Sequence, residues 1–157
     1  MGVPWTRENS MGGVKYLCGR AYIGGTFDIV HPGHLHLFSW AKNKYGELVV
    51  SLNRDDFVRR YKGKKPLMTY EERATVLRAL RVVDYVIPNI GDENSRPAIR
   101  LAKPNAIVAG SDWTRERLMK QMELTDEFLQ EHMIDITIFK DSLPIHSSDI
   151  KNGVRAV

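Results

Sequence analysis

A single cysteine, Cys18, in 157 residues leaves no partner for an intramolecular disulfide and points to a reducing compartment. No apolar run approaches the ~20 residues that a membrane-spanning helix needs, so membrane insertion is not expected. The opening segment MGVPWTRENSMGG lacks the apolar stretch of a secretory signal. It reads as an extension over residues 1–19, with Met11 as a second candidate start and residues 20–157 as one domain. Internal repeats, low-complexity tracts and linkers are lacking as well. The expectation is a cytoplasmic globular protein.

Charge of one sign is also scarce. The formal excess is only +4, and the basic residues are scattered except for RRYKGKK, Arg59 to Lys65. No aromatic platform or recognition helix accompanies them, so nucleic acid is not an expected partner. The basic stretch reads either as a solvated loop or as a face for a polyphosphate.

What is present suffices for a core, since 43% of the residues are hydrophobic and 27% charged. Buried-strand patterns occur in RAYIGGTF, ELVVSLN, DYVIP, AIVAG and DITIF. Amphipathic patterns lie between them. PGHLHLFSWAKNKYG has proline at its first helical position and glycine at its end. TYEERATVLRAL opens with a threonine and a glutamate three residues on, a capping box. SRPAIRLA, a longer TRERLMKQMELTDEFLQEHM and a short SSDIKNGV follow. Alternating strands and helices predict a Rossmann-like, three-layer α/β/α fold with a mostly parallel five-stranded sheet. Ligands of such sheets sit at the carboxyl ends of the strands.

The stretch GGTFDIVHPGH, Gly24 to His34, falls at such a place. Glycines let backbone amides approach an anion, and a helix starting near Pro32 offers unpaired N–H groups. Thr26 adds a hydroxyl. His31 and His34, three apart on the first turn, share one side and can donate hydrogen bonds to a phosphate. Three other readings compete. The histidines can simply cap the helix. Zinc is a second, but His36 faces away and no cysteine or carboxylate is spaced to complete a site, so no metal ligand is assigned. Dinucleotide binding is a third, and the G-x-G-x-x-G spacing is lacking.

GTFDIVHPGH resembles the G-x-F-D-x-x-H-x-G-H signature of the cytidylyltransferase-like nucleotidyltransferases. The chain is similar in particular to the glycerol-3-phosphate cytidylyltransferase group, from about Ala21 to Lys151. YEERATVLRALRVVDYVIP, GSDW (Gly110 to Trp113) and IHSSDIK (Ile145 to Lys151) carry the rest of the likeness. The resemblance implies transfer of CMP from CTP to a small phosphorylated alcohol such as glycerol 3-phosphate, with release of pyrophosphate. The alternative is an adenylyltransferase using ATP, and a nucleotide-binding module without catalysis is a third class that the intact histidines argue against.

By the same resemblance His31, His34, Lys62 and Lys64 are catalytic. Gly25, Thr26, Phe27, Gly110, Asp112, Trp113, Ser147 and Ser148 bind the nucleotide. Arg81 and Lys65 serve the acceptor or the phosphates. Asp28 supports the loop and Asp84 is structural. Magnesium is held mainly by the nucleotide phosphates, and a homodimer is implied. Plain structural readings stand beside these: a turn for Asp112, core packing for Trp113, a helix cap for Ser147 and Ser148. The chain also departs from the group. Asp141, Pro144 and His146 stand where arginine, glycine and serine are expected, with Lys140 as a substitute cation, and the stretch around QMELTDEFLQEHM is longer than in compact members.

Overall fold

The computed structural model describes residues 19–153. The extension, with Met11 and Cys18, lies outside the described residues except for Gly19, which opens the first strand. The strands are β1 (Gly19–Gly25), β2 (Gly46–Leu52), β3 (Tyr85–Pro88), β4 (Ala106–Gly110) and β5 (Asp135–Phe139). They form one sheet in the order β3-β2-β1-β4-β5, and every pairing is parallel. The helices are α1 (Pro32–Tyr45), α2 (Asp55–Lys62), α3 (Tyr70–Arg78), α4 (Arg96–Ala102), α5 (Arg115–Gln121), α6 (Asp126–Glu131) and α7 (Ser147–Lys151).

Strand alternation divides the core into two halves. Ala21, Ile23, Leu48, Val50 and Val108 pack with Phe38 and Ala41 of α1 and with Ala74 and Leu77 of α3. Tyr22, Val49, Ile107 and Ala109 point the other way, onto Ile99 of α4, Leu118 of α5 and Phe128 of α6. The result is the expected three-layer fold, with a wholly parallel sheet.

Two helical expectations change. The stretch from Thr114 to Met133 is two helices, because the chain turns at Glu123, where φ is 53°, and restarts at Thr125. Thr125 caps α6 by accepting from the Phe128 amide at 3.2 Å. The basic stretch from Arg59 is not all loop either. Arg59, Arg60 and Lys62 form the last turn of α2, opposite Asp55 and Asp56 in its first turn, an order that suits the helix dipole. Gly63 ends the helix at φ 70°, a conformation that costs glycine little.

One buried arginine organises the loops above the sheet. Arg73 is fully buried on α3, whose capping box between Thr69 and Glu72 is formed as expected. Its guanidinium donates to the carbonyls of Thr26 (2.7 Å), Asn53 (3.0 Å) and Met68 (3.1 Å). It also meets Asp55 Oδ1 at 2.5 Å. It thus ties the exits of β1 and β2 to the start of α2 and of α3. Asp84 does similar work at the other end of the sheet, accepting from the Leu48 amide at 2.7 Å and from Lys42 Nζ at 2.6 Å.

Replacing Arg73 by methionine keeps most of the volume and removes every donor. The three carbonyls are then left without partners, at a cost of roughly 3 kcal/mol. Urea unfolding should show that loss, and an unchanged midpoint would remove Arg73 from this role.

Candidate functional site

The β1–β4 ladder stops early. Ala21 pairs with Ala106 and Tyr22 with Ile107, but the strands continue to Gly25 and Gly110 without pairing. They part at their carboxyl ends, and a cleft of about 590 Å³ opens there. This is the switch point at which the chain leaves one half of the sheet for the other.

The cleft gathers most of the expected residues. Gly25, Thr26, Phe27, His31 and His34 form the wall after β1. Lys62 and Lys64 come from the end of α2 and its turn. Gly110, Asp112 and Trp113 come from the loop after β4, and Ser147 and Ser148 from α7. Arg81 and Lys65 are not brought there. Arg81 lies exposed in the turn before β3, at the amino end of the strand, and Lys65 is exposed outside the cleft lining. Lys140 and Asp141 are exposed outside it too.

His31 is the N-cap of α1 and only 5% exposed. Its Nδ1 accepts from the Gly33 amide at 3.1 Å, which places the ring proton on Nε2. A Cβ on Gly33 would approach the His31 ring to 2.9 Å, so the glycine is needed for this ring position. The His34 ring stacks on His31, centroids 3.8 Å apart. Phe27 stands edge-on to His34 at 5.1 Å and to Phe38 at 5.3 Å. Its backbone is left-handed, φ 48°, a strained choice for an aromatic residue that these contacts hold in place. His36 lies instead against Phe139, at 5.2 Å.

Both imidazoles are neutral at pH 7. Burial pulls His34 down to about 4, a charge on His31 would push it the same way, and the Ile29 carbonyl acts in the opposite direction. Burial, then the charge of His146, holds His31 below its ordinary value. His34 Nδ1 is buried with no hydrogen-bond partner among the described residues. A stacked pair of charged rings would repel; a neutral pair supplies fixed N–H dipoles beside a helix N-terminus.

Asp28 holds the cleft together from below. It is 4% exposed and accepts from the amides of Leu67 (2.9 Å) and Met68 (3.0 Å) and from Lys151 Nζ. Burial acts to raise its carboxyl, but Lys151 and the two amides outweigh it and keep the group below the usual carboxylate value. The loop after the lysines and helix α7 are therefore anchored on one carboxylate. Lys62 is pushed down by burial and then by Lys151, so cations converge here. Ser147 does not cap α7: the N-cap is His146, and Ser147 donates to the Ile29 carbonyl at 3.1 Å. The Arg117 guanidinium lies over the Trp113 ring at 4.8 Å and donates to the Asp112 carbonyl at 3.2 Å.

Sequence reasoning passed over Lys151, Asn53, Asn89 and Arg117 as lining residues. Lys151 stood inside the IHSSDIK motif, so its signal was present; the other three carried none.

Because His34 has a lower pKa folded than unfolded, the unfolded chain binds more protons between about pH 6.5 and about pH 4. Its contribution to stability is fully present above pH 6.5 and is lost as the pH falls toward 4. The unfolding free energy of the protein, measured in urea, should fall more steeply across that window than that of His34→Gln, by on the order of 2 kcal/mol. Parallel profiles would show that His34 is not held neutral by the fold.

FAD synthase of Pyrococcus abyssi (strain GE5 / Orsay) is 42% identical over 93 residues, which cover 59% of this chain and 63% of that protein. FAD synthase of Pyrococcus horikoshii is 41% identical over the same shares. The chain thus matches less than two thirds of these relatives' length. The crystal structure of a lipopolysaccharide core biosynthesis protein from Thermoplasma volcanium GSS1 is 28% identical, with a TM-score of 0.62, over 77% of this chain and 95% of that one. The family model described as Cytidylyltransferase-like matches residues 22–153, from inside β1 to the end of the described chain, and the chain belongs to that family.

Proposed function

We propose that the chain transfers an adenylyl group from ATP to a phosphate oxygen of a small phosphorylated acceptor and releases pyrophosphate. The observation that carries the transfer is the neutral, stacked His31–His34 pair at the start of α1, in one cleft with Lys62 and Lys64. The choice of ATP is supported by the two FAD synthases among the relatives. Their product joins an adenylyl group to a flavin phosphate, so the acceptor class is a phosphomonoester such as flavin mononucleotide. Cytidylyl transfer to glycerol 3-phosphate is the second reading, favoured by the Gly110–Trp113 turn at the cleft wall.

In this reaction an acceptor phosphate oxygen attacks the α-phosphorus of the triphosphate. A new P–O bond forms as the bond to the bridging oxygen of the β-phosphate breaks, and pyrophosphate leaves with that electron pair. No protein nucleophile is needed; positioning and charge neutralisation do the work. The His31 Nε2–H and the His34 ring donate to the α-phosphate oxygens as charge builds on them. Lys62 and Lys64 draw the leaving pyrophosphate. Magnesium would arrive on the triphosphate and neutralise part of its charge. The carboxylates at the cleft suit that division, since Asp28 is taken by Lys151 and Asp92 by Arg54 and Arg60.

Pyrophosphate release should be fastest with ATP and flavin mononucleotide among pairings of ATP or CTP with flavin mononucleotide or glycerol 3-phosphate. Turnover only with CTP and glycerol 3-phosphate would reverse the order of the two readings.

His34→Ala should lower kcat by roughly a hundredfold to a thousandfold, with a much smaller change in nucleotide affinity, because it removes a donor to developing charge. Near-normal kcat in the folded variant would take His34 out of the chemistry. The double variant Lys62→Ala, Lys64→Ala should raise KM for the triphosphate and lower kcat together. A change confined to KM for the acceptor would move the lysines to the other substrate.

A further inference from the structure

The segment that leads into α7 brings a third imidazole to the cleft. His146 is the N-cap residue of α7, lines the cleft and is half exposed. Its Nδ1 lies 3.4 Å from Asp112 Oδ2, and its charge is felt by His31. Asp112, 66% exposed, would otherwise set a bare carboxylate beside any bound phosphate. No lysine or arginine of the segment from Phe139 to His146 reaches the cleft, since Lys140 lies outside it.

We infer that His146, paired with Asp112, is a phosphate-binding residue whose protonated form supplies the positive charge of this wall, so that polyphosphate affinity falls as the pH rises. This rests on the nucleotidyl-transfer reading and adds a residue and a pH dependence to it. When His146 is protonated, Nδ1 bonds Asp112 and Nε2–H is left to donate to a phosphate oxygen. When it is neutral, the Asp112 charge is uncompensated.

The other charged groups around it come from each packed element. Asp112 lies beside it in the loop after β4, Arg117 lines the cleft from α5, and His31 and His34 line it at the start of α1. Lys62 and Lys64 lie on the α2 side, Lys151 is spent on Asp28, and Asp149 is a neighbour on α7 itself. His34, held down to about 4 by burial, stays neutral over this range, and the His146→Arg reference below shares whatever protons His31 takes up.

The test is calorimetric binding of inorganic tripolyphosphate to the whole chain from pH 6 to pH 8, an interval that spans imidazole titration. His146→Arg is the reference, because it keeps the charge and shares every other titration, including that of the probe. Relative to that reference the protein should lose at least threefold in affinity between pH 6 and pH 8. His146→Asn should bind weakly at pH 6, and the reference-corrected profile should become flat. Identical profiles for the protein, His146→Asn and His146→Arg would overturn the inference while leaving phosphate binding in place. Failure of tripolyphosphate and ATP to bind at any pH would overturn it together with the nucleotidyl-transfer reading.

Discussion

The cleft depends on one buried cation that never enters it. Arg73 gathers the Thr26, Asn53 and Met68 carbonyls and the Asp55 carboxylate around a single guanidinium. Parallel strands deliver their carboxyl ends to one edge, but nothing in the ladder fixes the loops that leave it. Arg73 supplies that fixation from α3, whose capping box sets where the helix starts. A planar guanidinium can hold several carbonyls at set angles, as an ammonium cannot. The bend at Phe27 is thereby held from its backbone by Arg73 at Thr26 and from its ring by Phe38 and His34.

Asp28 extends the same logic to the parts that close on a ligand. It is nearly fully buried, and its two oxygens engage two amides and one ammonium. The lysine turn, the C-terminal helix and the histidine loop share that one anchor. A buried carboxylate is tolerated only with such partners. Its neutral neighbours matter as much: burial strips the charge from His34, and His31 follows in the same direction. At the start of α1 the two stacked imidazoles therefore act as directed dipoles, and positive charge reaches them from Lys62 and Lys64 of α2 and its turn.

Much of this was legible in the chain. Strand alternation in AYI, LVV and AIVA gives both sheet faces, and the Thr69–Glu72 box and the Pro32 start locate two helices to the residue. The G-x-F-D-x-x-H-x-G-H pattern located the histidine pair because its spacing is local. Helix α2 was missed because its apolar signal is only Phe57 and Val58 amid charges, and its basic end resembles a loop. The break at Glu123 was missed because a left-handed φ at a glutamate has no composition signal. Arg81 matches the family motif, but a position before β3 lies at the amino end of a parallel strand, away from the cleft. The Asp28–Lys151 contact joins residues 123 apart, and no local pattern reports a pairing of that range.

The chemistry of the cleft rests on stacked imidazoles that are neutral, with the His31 proton on Nε2, and so serve as uncharged donors. Nitrogen-15 NMR of histidine-labelled protein, titrated from pH 3.5 to pH 8, reads both the charge and the tautomer of each ring. His34 should stay neutral until the pH nears 4, and His31 Nδ1 should have the shift of an unprotonated acceptor throughout the neutral range. A His34 that protonates at or above the ordinary imidazole value, or a His31 with its proton on Nδ1, would contradict this.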